Sequence, residues 1–137
     1  MTNTSLAASY LAKAVARLKI LPVLQEASAY SDVVREAQEI VELALKGVLR
    51  HVGVEPPKWH DVGGFLLEHR SRLTLADDAT LARLAAISAW LRKEREFSFY
   101  GDIDFIPTEQ YDPSDAARAI ADATFVVDVA SLLIQTR

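Results

Sequence analysis

The chain has 137 residues, half of them apolar and a quarter charged, with a net charge of −4 and no cysteine. That length suits a single domain, residues 1–137, able to bury roughly two-thirds of its unfolded surface without a metal or a disulfide. The missing thiols exclude a disulfide scaffold, a cysteine nucleophile and a thiolate metal site, and the acidic balance argues against a face coated with basic residues for nucleic acid.

The N-terminus, MTNTSLAASYLAKAVARLK, lacks the uninterrupted apolar core of a signal peptide. No apolar run approaches the roughly 20 residues that span a bilayer. The expectation is a cytoplasmic protein without a membrane segment.

The first predicted helix runs from about Leu6 to Leu21. Ala7, Leu11, Ala14, Leu18 and Leu21 form one stripe at helical spacing. Pro22 is expected to interrupt it, and a short piece from Val23 to Tyr30 leads to Ser31 as N-cap. The next helix, Asp32 to about Val52, has the clearest pattern. Val33, Ala37, Ile40, Val41, Ala44, Leu45 and Val48 lie on one side, and Asp32, Arg35, Glu36, Glu39, Glu42, Lys46 and Arg50 on the other. Its length is about 30 Å, and Gly53 with Pro56-Pro57 ends it. A short helix carries Phe65, Leu66 and Leu67.

A fourth long helix starts near Asp77 and ends near Phe99. At about 100° per residue, Leu81, Leu84, Ile87 and Leu91 define its apolar arc. Ser88 and Arg95 fall within that arc, Arg92 lies at its edge, and Trp90 and Phe97 point the other way. The connection from Gly101 to Tyr111 is long for a bundle, where about 2–8 residues are usual. It reads either as a cover over the bundle end or as a lid or partner-binding loop. The last helix opens at Asp112 with Pro113 at the first helical position and continues to about Gln135. Ala116, Ile120, Ala123, Val127, Ala130 and Ile134 make one stripe; Phe125, Val129 and Leu132 make a second on nearly the opposite side, as in a central helix or one packed on a second chain. No segment alternates like a strand. The predicted fold is an all-α antiparallel bundle of four long helices plus a short one.

The chemistry concentrates in LRKEREFSFYGD, residues 91–102. An arginine in an apolar stripe needs an acceptor, because an unpaired buried guanidinium is very costly. One reading is an ion pair within the chain, with Glu39, Glu42 or Asp102. The other is a pocket in which Arg92, Arg95, Tyr100 and Asp102 meet a phosphate, which a planar guanidinium grips with two nitrogens. His51, His60 and His69 are separated by Gly53, Pro56 and Pro57 and do not form a metal-ligand pattern; they read as surface or capping residues. His60-Asp61 alone lacks the other ligands of a metal phosphohydrolase. Trp59 reads as a core plug or a dimer contact. No cofactor or metal is expected.

The stretches YSDVVREAQEIVELALKGVLRHVGVEPP, KWHDVGGFLLEH, LRKEREFSFYGD and YDPSDAARAIADATFVVDVASLL, in that order and spacing, resemble the HEPN domain. The resemblance covers nearly the whole chain. It implies a helical bundle that forms homodimers, with paired arginine-bearing helices lining a shared cleft, so that Trp90 and Phe97 become candidate dimer contacts. It also implies a nucleotide- or RNA-binding role in a toxin–antitoxin pair with a minimal nucleotidyltransferase, with Tyr100 as a possible acceptor of AMP. Many members of the family are ribonucleases with an Arg, four to six intervening residues, then a His. Here those places hold Phe97, Ser98 and Phe99 counted from Arg92, and Tyr100, Gly101 and Asp102 counted from Arg95. Free tyrosine titrates near 10 and makes a poor general base, whereas His near 6.5 is well suited. The expectation is therefore a binding module. The alternative is a metal-independent endoribonuclease using Arg95 and Tyr100.

Overall fold

A computed structural model describes residues 3–58 and 61–135 and, within them, all side chains but those of Glu96 and Gln135. The predicted places of Trp59 and His60 lie outside the described residues. Four long helices carry the fold: α1 (Asn3–Leu18), α3 (Tyr30–His51), α5 (Asp78–Phe99) and α7 (Pro113–Gln135). Three short ones join them, α2 (Ile20–Glu26), α4 (Val62–Glu68) and α6 (Pro107–Gln110), with a 3₁₀ turn at Arg70–Arg72.

The breaks between helices follow local chemistry. Pro22 does not interrupt α1. The chain turns at Lys19, and Pro22 sits in the first turn of α2, where a missing N–H costs no helical bond. Ser31 does not cap α3 either: it is buried inside the helix, which starts one residue earlier, after Ser28 has taken a positive φ of 58°. α3 ends as its glycine predicts. Gly53 has φ 79°, its N–H donates to the Arg50 carbonyl at 3.0 Å, and the Val54 N–H donates to the Leu49 carbonyl at 2.9 Å. This pair of bonds closes a helix with glycine in the left-handed position. α7 opens on a reciprocal cap. The Asp115 N–H donates to Asp112 Oδ1, and the Asp112 N–H donates to Asp115 Oδ2, both at 3.0 Å.

α3 is the centre, packed against α1, α5 and α7. That is why its apolar arc is so wide: Val33, Val34, Ala37, Ile40, Val41, Ala44, Leu45, Val48 and Leu49 are all buried. α1 contributes Ala7, Leu11 and Ala14, and α5 contributes Leu81, Leu84, Ile87, Ser88 and Leu91. α7 buries Ala116, Ala119, Ala123, Val126, Val127 and Ala130, small residues that let it approach α3 closely. α5 and α7 meet mainly through long side chains. The Arg118 guanidinium lies 4.0 Å over the Trp90 ring and that of Arg83 lies 3.7 Å over the Phe125 ring. The Trp90 indole N–H donates to Asp122 Oδ2 at 2.8 Å. The second apolar stripe of α7 is thus only partly used within the chain: Phe125 and Val129 are half-buried and Leu132 is exposed. Among the described residues, no helix is long and apolar enough to cross a membrane.

Candidate functional site

α3 and α5 bring their charged side chains together near the C-terminal end of α5. The expectation that Arg95 continues the buried stripe is corrected here: its side chain is 48% exposed. The buried position in that turn is Ser98, fully covered and donating to the Arg95 carbonyl at 3.1 Å. The physical reason is the cost of dehydrating a guanidinium, which drives a long flexible stem to carry its charge to the rim. There Arg95 Nη2 stands 3.8 Å from Glu39 Oε1 on α3, the first of the partners expected for it.

The same carboxylate oxygen meets a second arginine. Arg35, one turn earlier on α3, places Nη2 3.5 Å from Glu39 Oε1. Its guanidinium also lies 5.2 Å from the centre of the Phe99 ring, and Phe99 packs edge-on against Tyr100 with ring centres 4.8 Å apart. Arg95, Glu39, Arg35, Phe99 and Tyr100 therefore form one continuous surface. Arg35 was assigned from sequence to the solvated side of its helix. That placement is right, but helical phase within one segment says nothing about which exposed face a neighbouring helix adjoins. Its spacing from Glu39, four residues, was the one available signal.

Next along α3, Glu36 accepts from Arg17 Nε at 2.6 Å. That hydrogen bond, with the charge of Glu36 and then of Glu39, holds the Arg17 guanidinium still more firmly protonated than usual. Glu36 thus ties α1 to α3, and Glu39 ties α3 to α5.

The remaining expected site residues are dispersed around this cluster. Arg92 is exposed and lines a crevice of about 10 Å³ between α3 and α5 with Gln38, Glu42 and Ser88. The crevice has the size of one water, and Gln38 Oε1, buried beside it, accepts no hydrogen bond from the described residues. Asp102 folds its own loop: Oδ1 accepts from the Asp104 N–H at 2.9 Å, and its backbone pairs with Phe105 across a tight turn. Gly101 makes that turn possible. Its φ is 64°, and a Cβ there would lie 2.2 Å from the Phe105 carbonyl oxygen. Within the chain, residues 101–111 form a cover over the bundle end. Phe105 packs against Phe97 and Tyr111, with ring centres 5.2 and 5.7 Å apart. The Tyr111 hydroxyl, whose pKa is raised by burial and then by the nearby Glu94 charge, donates to Glu94 at 3.4 Å. The tip residue Ile103 stays 92% exposed.

Trp90 and Phe97, expected at a dimer interface, both have partners within the chain, Trp90 with Arg118 and Asp122 and Phe97 with Phe105. Phe97 is nonetheless 39% exposed. His69 is half-buried, and its Nδ1 lies 3.0 Å from the Phe65 carbonyl, a capping position at the end of α4. Among the described residues, no group of three or more His, Asp or Glu side chains could hold a metal ion.

In this all-α bundle the central helix and the arginine-bearing helix converge on a surface of guanidinium and aromatic groups. The model for the HEPN domain matches residues 7–133. The chain belongs to the HEPN family. No curated protein matches it.

Proposed function

We propose that this chain is a homodimeric HEPN module that binds a phosphate-bearing ligand, a nucleotide or RNA, at the end of α5, as one component of a toxin–antitoxin pair with a minimal nucleotidyltransferase. One observation carries the reading. Two guanidiniums, Arg95 and Arg35, converge on a single oxygen beside two exposed aromatic rings, Phe99 and Tyr100. Guanidiniums recognise phosphate oxygens by paired N–H donors, and exposed rings stack on bases without regard to sequence. Arg92, exposed one turn before Arg95 on the same helix, adds a further cation toward α3.

The His that serves as general base in the family's ribonucleases is replaced by Tyr100 or by residues without a titratable side chain or with a carboxylate. The reading is therefore binding without cleavage. Arg95→Ala and Arg35→Ala should each weaken binding of a fluorescein-labelled oligouridylate by roughly tenfold, the scale of one charge-assisted hydrogen bond. Fluorescence anisotropy measures this. Unchanged affinity in both variants would remove the site.

A further inference from the structure

The geometry of Glu39 points beyond binding itself. We propose that Glu39 is a built-in anion that holds the place of a ligand's phosphate between Arg35 and Arg95, so that a phosphate ester binds by displacing it. The inference rests on the phosphate-binding reading above and concerns how that same site is regulated.

Two ion pairs in one neighbourhood show the contrast. Glu36 grips Arg17 at 2.6 Å, the length of a committed charge-assisted bond. Glu39 serves two arginines from one oxygen, at 3.5 and 3.8 Å, and satisfies neither closely. In this arrangement one carboxylate oxygen faces both guanidiniums and lies close to neither. A phosphate ester, with two non-bridging oxygens in a diester and three in a monoester, can offer each its own. The two nitrogens share one oxygen as neighbour, so they are separated by no more than those two distances end to end, a gap that one phosphate group bridges.

Access and retention also fit. Arg95 is 48% exposed, so an anion reaches the seat from solvent without opening the core. Both contacts are long and the Arg95 side is half-exposed, so the displacement meets modest resistance. Arg35 stays positioned when Glu39 leaves, because its guanidinium rests over Phe99. The ligand class that follows is a phosphate ester with an adjoining base, the phosphate in the Glu39 position and the base beside Phe99 and Tyr100. While Glu39 is in place the arginine pair is partly neutralised, and an anion of low charge competes poorly for it.

The test is Glu39→Gln, which keeps the side-chain shape and removes the charge, with Glu39→Ala as a second variant and thermal melts to establish that each folds. The probe is the fluorescein-labelled oligouridylate, with uridine 5′-monophosphate as competitor. Glu39→Gln should bind the probe roughly tenfold tighter than the parent at low salt. The gain should vanish in the double variant Glu39→Gln/Arg95→Ala. Competition by the mononucleotide assigns the seat to a free nucleotide's phosphate; failure to compete, with the gain intact, assigns it to a phosphate within a polynucleotide. If folded Glu39→Gln and Glu39→Ala bind no tighter than the parent while Arg95→Ala weakens the parent, the displacement is overturned and the binding site stands. If neither arginine variant alters binding, or if the parent and Glu39→Gln both fail to bind, the site and the displacement fall together.

Discussion

Tyr100 and Tyr111 show how far one residue type can diverge within a single end of the bundle. Tyr111 is buried under the cover loop, and its hydroxyl is engaged with Glu94 and harder to ionise than usual because of that burial first and the carboxylate second. Tyr100 is 72% exposed, the most accessible of the four tyrosines. A nucleotidyltransferase working on this surface would reach Tyr100 and not Tyr111. After incubation with such a partner and ATP, the added mass of AMP should appear on the peptide carrying Tyr100; its appearance on Tyr111 instead would contradict this placement. Arg95 was legible as the residue to examine, since an arginine in phase with Leu84 and Leu91 must be resolved somehow. Whether it would be resolved by burial with a partner or by escape to the rim depended on how close α3 comes, which no spacing along α5 contains.

The long helices were legible, α3, α5 and α7 almost to their ends because each carries an apolar period and a recognisable start or stop; α1 ends at Leu18, before the break expected at Pro22. Among the short elements, α4 was legible from Phe65, Leu66 and Leu67, α2 was expected three residues late, and α6 was not foreseen. α2 and α6 have seven and four residues, too few for a period to emerge from composition. The cap of α7 yields a pH prediction. Hydrogen bonds from the Asp115 backbone and then the Ser114 hydroxyl hold the Asp112 carboxyl below its ordinary 3.8. Its charged form therefore favours the folded state: the stabilisation is complete above pH 3.8 and is lost as the pH falls through the lower folded value. Asp112→Asn keeps a capping oxygen and removes the titration. The variant should lose less melting temperature than the parent between pH 4 and pH 2 (about the range in which carboxylates protonate), as followed by circular dichroism. Part of the parent's acid loss should persist, because Asp77, bonded to Thr80 at the start of α5, is lowered in the same direction. An identical fall in both proteins would show that Asp112 contributes nothing to it.

At the scale of the molecule, the core lies around α3, and apolar side chains stay exposed near the end of α5 and in the loop after it, Phe97, Ile103 and Ile106. Apolar side chains gathered in this way usually mark an interface. A dimer should therefore form through the α5 end, with Phe97 contributing and Trp90, already seated between α5 and α7, acting from within the chain. Analytical ultracentrifugation should give twice the 15.1 kDa chain mass, and Phe97→Asp should shift the population toward the monomer. A parent that sediments as a monomer at all concentrations would refute this. By itself the sequence determined the all-α class, the long helices and the stripe that each one buries, because helical periodicity and caps act over a few residues and leave their record in order along the chain. Only the tertiary structure decided that Arg35 and Arg95 share Glu39, that Arg95 is lifted to the rim, and that residues 101–111 fold down as a cover. Those outcomes depend on distances between helices far apart in sequence, set by the packing of the whole core around α3.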